Sequence, residues 1–298
     1  MKSYPFKKLD AFATTHSAGN PAGYVLLDSD DQMTEDQMQL MARQLKGFVN
    51  EVGYVWQTGA RQFRLKYYSS EREVDFCGHA TLAIFYDLFK HNKDLRRFNT
   101  LEIVTNCGIS EIENRLDAED AVYIMSPEPE EGTLVPGADR VAFSLQMSHD
   151  AIDTRFPIQV IHAGLWTLIV PVTTLQSVLA IEPDLEQLKT CCENWGIDIV
   201  LVFTPEVVDL ASQFRTRVFA PTFGYLEDPA TGSGNSALGY YLMRQGRWQS
   251  DSLIIEQNGE HNSYNIVKLK KKQHLNGERV LFGGAAITRI EGAYLLYE

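Results

Sequence analysis

The sequence predicts an α+β protein built as two pseudo-symmetric domains, each a sheet curled around one apolar helix. Three observations carry this prediction. Landmarks of the first half recur, in order, in the second. Each half has an extended segment that alternates apolar and basic side chains, and a helix-like stretch that is apolar on nearly every side.

The recurrence is read from short segments. Gly19 to Leu27 (GNPAGYVLL) resembles Gly164 to Val172 (GLWTLIVPV), and the run EVGYVW at Val55 resembles DIVLVF at Val202. Phe63-Arg64 and Phe214-Arg215 each open an extended segment, and Gly78 and Gly232 each sit in a glycine turn before an apolar stretch. The spacing between partners drifts slowly upward along the chain, as small insertions after a duplication would make it.

Residues 63–68 (FRLKYY) and 214–219 (FRTRVF) show the period-two pattern of half-buried strands. Residues 79–89 (HATLAIFYDLF) and 236–243 (SALGYYLM) lack a polar face, which predicts helices buried on most sides. Gly239 weakens the second helix by about 1 kcal/mol. The Pro-, Glu- and Gly-rich stretch Ser126 to Gly137 has linker composition. The domains are therefore drawn as 1–125, joined by a C-terminal strand over 286–298, and 126–285.

Composition narrows the function classes. The chain has 298 residues, 44% hydrophobic and 22% charged, enough for packed cores without metal or disulfide staples. With 27 basic and 39 acidic residues its formal charge is −12, which opposes binding to nucleic acid or an anionic membrane surface. The cluster Lys268, Lys270, Lys271 and Lys272 reads as a solvated strand or turn. No signal peptide or membrane span is visible, and Cys77, Cys107, Cys191 and Cys192 have no paired C-x-x-C spacing. A reducing cytoplasm, no disulfide framework and no zinc site are the expectations. His16, His91, His149, His162, His261 and His274 show no close pairing with carboxylates or thiols in the sequence, so no metal or other cofactor is expected.

Four segments carry chemistry. Asp75-Phe76-Cys77-Gly78-His79-Ala80-Thr81 follows a strand and opens the first apolar helix; a helix N-terminus favours anions and disfavours a charged imidazolium on His79. Alternatively, His79 is a buried histidine bonded to backbone. Glu227-Asp228-Pro229-Ala230-Thr231-Gly232-Ser233-Gly234-Asn235 is a loop whose glycines permit the positive φ of an anion-binding nest, or a plain turn at Asp228-Pro229. It lacks the lysine of a P-loop. Glu51 opens a strand among Val49, Val52 and Tyr54, where desolvation would raise its pKa and let it act as acid and base. The amide of Asn20, in Ser17-Ala18-Gly19-Asn20-Pro21-Ala22-Gly23, either orients a substrate carboxylate or only shapes a turn.

Together these segments resemble the PhzF-like family of phenazine-biosynthesis isomerases, over nearly the whole chain. The matching pieces are Asp10-Ala11-Phe12 with Gly19-Asn20-Pro21, Glu51, Phe76-Cys77-Gly78-His79-Ala80-Thr81, Phe219-Ala220-Pro221, and Glu227 to Ser233. The resemblance implies a diaminopimelate epimerase-like fold of curved, mostly antiparallel sheets, with the ligand between the domains. It also implies a cofactor-free isomerisation of a small anionic carboxylate, and a homodimer. Glu51 would move the proton, His79 and Asp228 would position substrate and handle protons, and Asn20, Gly78, Thr231, Gly232 and Ser233 would bind it.

Epimerases of the wider fold use one cysteine from each half. Cys77 fills the first place, but Ala230 stands where a second thiol is wanted, so two-thiol racemisation is excluded and Cys77 reads as a packing residue. The chain departs from the family at Val52-Gly53, expected to reshape one wall of the site, and at the unusually polar Gly234-Asn235-Ser236. The first departure motivates an alternative, a non-catalytic ligand-binding or interaction protein that keeps the fold.

Overall fold

The structure is a computed structural model that describes residues 1–30, 32–275 and 277–297. Its internal contacts divide the chain into two compact units, Met1–Met125 with Gly283–Glu298, and Ser126–Phe282. The first unit carries β1 (Lys2–Ala11), β2 (Asn20–Leu26), β3 (Glu51–Gly59), β4 (Gln62–Ser69), β5 (Glu73–Val74), β6 (Thr100–Thr105), β7 (Gly108–Asn114) and β8 (Val122–Met125). The second carries β9 (Glu130–Glu131), β10 (Gln159–His162), β11 (Trp166–Pro171), β12 (Ile199–Thr204), β13 (Phe214–Phe219), β14 (Glu227–Asp228), β15 (Ser252–Gln257) and β16 (Asn265–His274). The chain leaves the second unit along β17 (Gly277–Gly284), and β18 (Ala286–Leu296) then pairs antiparallel with β1.

The same succession of pairings runs in both units. In the first, β1–β2 is antiparallel, β2–β3 parallel, β3–β4 and β4–β5 antiparallel, β4–β6 parallel and β6–β7 antiparallel. In the second, β10–β11 is antiparallel, β11–β12 parallel, β12–β13 and β13–β14 antiparallel, β13–β15 parallel and β15–β16 antiparallel. The registers repeat as well. Ala22 faces Glu51 where Thr167 faces Ile199, and Tyr67 faces Val74 where Val218 faces Asp228. The alternating segments expected as half-buried strands are β4 and β13, but β13 is buried on both faces, its Arg215 paired with Glu256 at 3.2 Å and its Arg217 with Glu227 at 2.8 Å.

Each unit is filled by one apolar helix. Gly78–His91 is buried from Ala80 through Phe89 and packs on β1, β2, β3, β8 and β18. Gly232–Arg244 packs on β10, β11, β12 and β16. The opposite sheet faces are covered too. Helix Glu35–Gln44, started by a Thr34/Gln37 capping box, buries Met38 and Met41 against Val25, Val52 and Tyr54. Helix Leu185–Trp195 buries Leu188 and Cys192 against Val170, Val200 and Val202. No helix among the described residues is long and apolar enough to cross a membrane.

Two expectations are corrected. Gly232-Ser233-Gly234-Asn235 is not a positive-φ nest: it forms the first turn of the second apolar helix, and neither glycine has a positive φ. Packing explains the glycines. A Cβ on Gly232 would lie 2.4 Å from the Phe282 ring, and one on Gly234 would lie 3.2 Å from Ile199. The Val52-Gly53 departure does not reshape a site wall through Val52. Val52 belongs to the core beneath helix Glu35–Gln44, while a Cβ on Gly53 would meet Ile84 of the apolar helix at 2.5 Å.

Candidate active site

Strand alternation determines which way Glu51 points. Val52 and Tyr54 face helix Glu35–Gln44, so Glu51 and Gly53 face helix Gly78–His91. That helix begins beside the start of β3, with Cys77 as its N-cap and His79 in its first turn. Thr81 fixes the start: its hydroxyl donates to the Cys77 carbonyl at 2.6 Å and lies 2.6 Å from the Tyr67 hydroxyl.

The result is a compact group in the first unit. Glu51 Oε2 lies 3.3 Å from His79 Nε2 and accepts from Cys77 Sγ at 3.7 Å. Cys77 Sγ lies 3.4 Å from His79 Nδ1. The Glu51 side chain keeps 22% of its surface exposed and His79 keeps 13%, so the group is set in the wall yet reachable from solvent. Burial pushes the His79 imidazolium down to about 4, partly opposed by a bond to the Pro21 backbone. Proline offers only a carbonyl, so one ring nitrogen donates to Pro21 and the ring is neutral at pH 7. The reading of His79 as a histidine bonded to backbone is met.

Asn20 opens β2, is buried, and its side-chain oxygen accepts from Asn50 Nδ2 at 3.0 Å. The Asn50 N–H donates to the Pro21 carbonyl at 3.1 Å, so the carbonyl anchoring His79 is itself held. Ser17 shapes the preceding turn, accepting from the Thr14 N–H at 2.8 Å.

In the second unit Asp228 ends β14, paired to Val218. Desolvation pushes its carboxyl up to about 6; hydrogen bonds from Thr231 and from the Ala230 N–H oppose the rise, and neighbouring Glu227 adds to it. Beneath this turn lies a buried amide network that local sequence does not announce. Gln257 accepts from the Thr231 N–H at 3.0 Å and from Asn235 Nδ2 at 2.6 Å, and donates to the Asp228 carbonyl at 2.8 Å. Asn265 donates to the Pro229 carbonyl at 2.7 Å. The polar Asn235 and Ser236 are thereby explained: Asn235 belongs to this network, and the Ser236 hydroxyl donates to the Gly232 carbonyl one turn back at 2.8 Å. Ser233 lies beside Gly164 in this unit.

The structure thus brings Glu51, His79 and Asn20 into one region with Gly78, and Asp228, Thr231, Gly232 and Ser233 into another. It also adds Cys77, which touches both Glu51 and His79 and so does more than pack. The position matching Cys77 in the second unit is the N-cap Thr231 rather than Ala230, which leaves a hydroxyl where the second thiol would stand.

The fold recurs in known proteins. The family model of phenazine biosynthesis-like proteins matches residues 9–292. The chain belongs to the phenazine biosynthesis-like family. A Bacillus subtilis relative named as an uncharacterized isomerase is 28% identical over 295 residues, covering 97% of this chain and 99% of the relative. A trans-2,3-dihydro-3-hydroxyanthranilate isomerase of Pseudomonas chlororaphis is 27% identical over 240 residues, covering 80% of each. The crystal structure of a Bacillus anthracis PhzF-family protein superposes with a TM-score of 0.87 at 25% identity, covering 99% of this chain and all of that one. Family and relatives support an isomerase with a diaminopimelate epimerase-like fold.

Proposed function

We propose that this family member moves a proton between carbons of a small carboxylated ring or enolisable acid, with Glu51 as the general acid and base. The single supporting observation is the 3.3 Å approach of Glu51 to an uncharged His79. Ionised Glu51 takes a proton from carbon. The carboxylic acid so formed returns it to another carbon of the same molecule, so the step balances without oxidant, reductant or metal. With one ring nitrogen committed to Pro21, the other offers a lone pair toward which a proton in transit can be held.

Asp228, half ionised near pH 6, is proposed as a second proton-handling group, and Asn20, Gly78, Thr231, Gly232 and Ser233 as substrate-binding residues. The Pseudomonas chlororaphis relative's name supports a cyclic carboxylate as the substrate class. Four free cysteines support a reducing, cytoplasmic setting. A homodimer is carried by the family resemblance alone.

Exchange in deuterated water tests the proposal. A cyclic or enolisable acid turned over by the wild type should incorporate deuterium at carbon, and Glu51→Gln should slow this by about 10²–10⁴-fold. Equal rates in wild type and variant would remove Glu51 from the mechanism.

A further inference from the structure

We propose that Glu51, Cys77 and His79 form a binding site for a thiophilic divalent cation, with Zn²⁺ as its probe, and that metal and proton transfer exclude one another there. Among the described residues, one ligand atom from each lies within 4.8 Å of the other two. The separations are 3.3 Å for Glu51 Oε2 to His79 Nε2, 3.7 Å for Glu51 Oε2 to Cys77 Sγ, and 3.4 or 4.0 Å from Cys77 Sγ to the two ring nitrogens of His79. Atoms bound tetrahedrally to zinc at bond lengths of about 2.0–2.3 Å stand roughly 3.3–3.6 Å apart. The three side chains therefore need to move only by tenths of an ångström.

The donor set suits the ion. Thiolate, imidazole and carboxylate are zinc's ordinary ligands, and three protein ligands leave a fourth position for water, the pattern of an open site. One His79 ring nitrogen is held by the Pro21 backbone carbonyl, the usual outer partner of a ligating histidine, which leaves the other to ligate. Cys77 caps a helix of 14 residues and donates to Glu51 Oε2, so its sulfur already points into the group. The exposed part of Glu51 supplies an entry path. Binding must displace the thiol proton, so affinity rises with pH.

The mutual exclusion rests on the reading of Glu51 as the proton carrier, since a carboxylate bound to Zn²⁺ cannot accept a proton from carbon. The metal site itself does not rest on it. Zn²⁺ titrated into the reduced protein against a chromophoric chelator should show one saturable site with Kd of about 1 µM or tighter. Cys77→Ser and His79→Gln should each weaken it by at least ~10-fold, while Cys107→Ser, which alters an exposed thiol, should not. Independently of any variant's folding, Zn²⁺ should slow alkylation of Cys77 by iodoacetamide and leave Cys107 unaffected, as read by mass spectrometry. No saturable site, an affinity unchanged in either ligand variant, or unprotected Cys77 would overturn the metal site. Chelator-reversible loss of exchange activity with Zn²⁺ bound would support the exclusion. Zinc bound with exchange undiminished would overturn the role of Glu51 and leave the metal site standing.

Discussion

Burial moves Asp228 and His79 in opposite directions along the pH scale but toward the same uncharged state. For Asp228 the folded value, about 6, lies above the unfolded reference of 3.8, so folding favours the protonated acid. Its favourable contribution is complete below about pH 3.8 and is lost as pH rises through 6. Asp228→Asn keeps an oxygen that can accept from Ala230 but never ionises. Denaturant midpoints should therefore coincide for wild type and Asp228→Asn at pH 4, with the variant the more stable at pH 7.5. A variant less stable at both values would mean that the ionised carboxylate is favoured by the fold, contrary to its environment. For His79 the folded value of about 4 lies below the reference of 6.5, so its neutral-ring contribution is present above 6.5 and lost as pH falls through 4.

At the scale of elements, glycine positions report where helix and sheet approach most closely. The Gly232 Cα faces the Phe282 ring, which would stand 2.4 and 2.5 Å from a methyl group added there, and a ring flanked by core cannot retreat as a chain end can. Gly232→Ala should cost about 1–3 kcal/mol by overpacking, seen as a lower midpoint of thermal unfolding. Gly292→Ala, with nothing within 4 Å, should fall within about 1 kcal/mol of wild type. The same contrast marks what sequence can reveal. β4 and β13 are legible because alternation is local, and the two apolar helices because length and composition are local. Glu51, His79 and Asp228 stand out through short motifs. The helical first turn over Gly232 to Asn235 is hidden because the residues it packs on and bonds to, Phe282, Ile199 and Gln257, are all distant in the chain. The role of Cys77 is hidden for a like reason, since its contact with Glu51 spans 26 residues.

At the scale of the molecule, the repeated registers show how two similar units became chemically unlike. The position of Glu51 in β3 is held in β12 by Ile199, and that of Asp228 in β14 is held in β5 by Val74. Each unit thus carries one acid where the other carries an aliphatic residue, so the two differ here in side chains rather than backbone. The units also differ in continuity. The first is assembled from two stretches of chain, with β18 lying along β1 from Lys2–Leu296 to Ala11–Ala286. The second is one unbroken stretch whose core, including Val141, Leu145, Leu168, Val170, Leu188, Val200 and Phe219, closes within itself. A single core of this kind, around its own helix, is sufficient for cooperative folding. The fragment Ser126–Phe282 expressed alone should therefore unfold in one cooperative denaturant transition, with near-ultraviolet circular dichroism lost at the same midpoint as far-ultraviolet signal. A fragment that keeps its far-ultraviolet signal but has no near-ultraviolet signal before denaturant is added would show that its core needs the rest of the chain to pack.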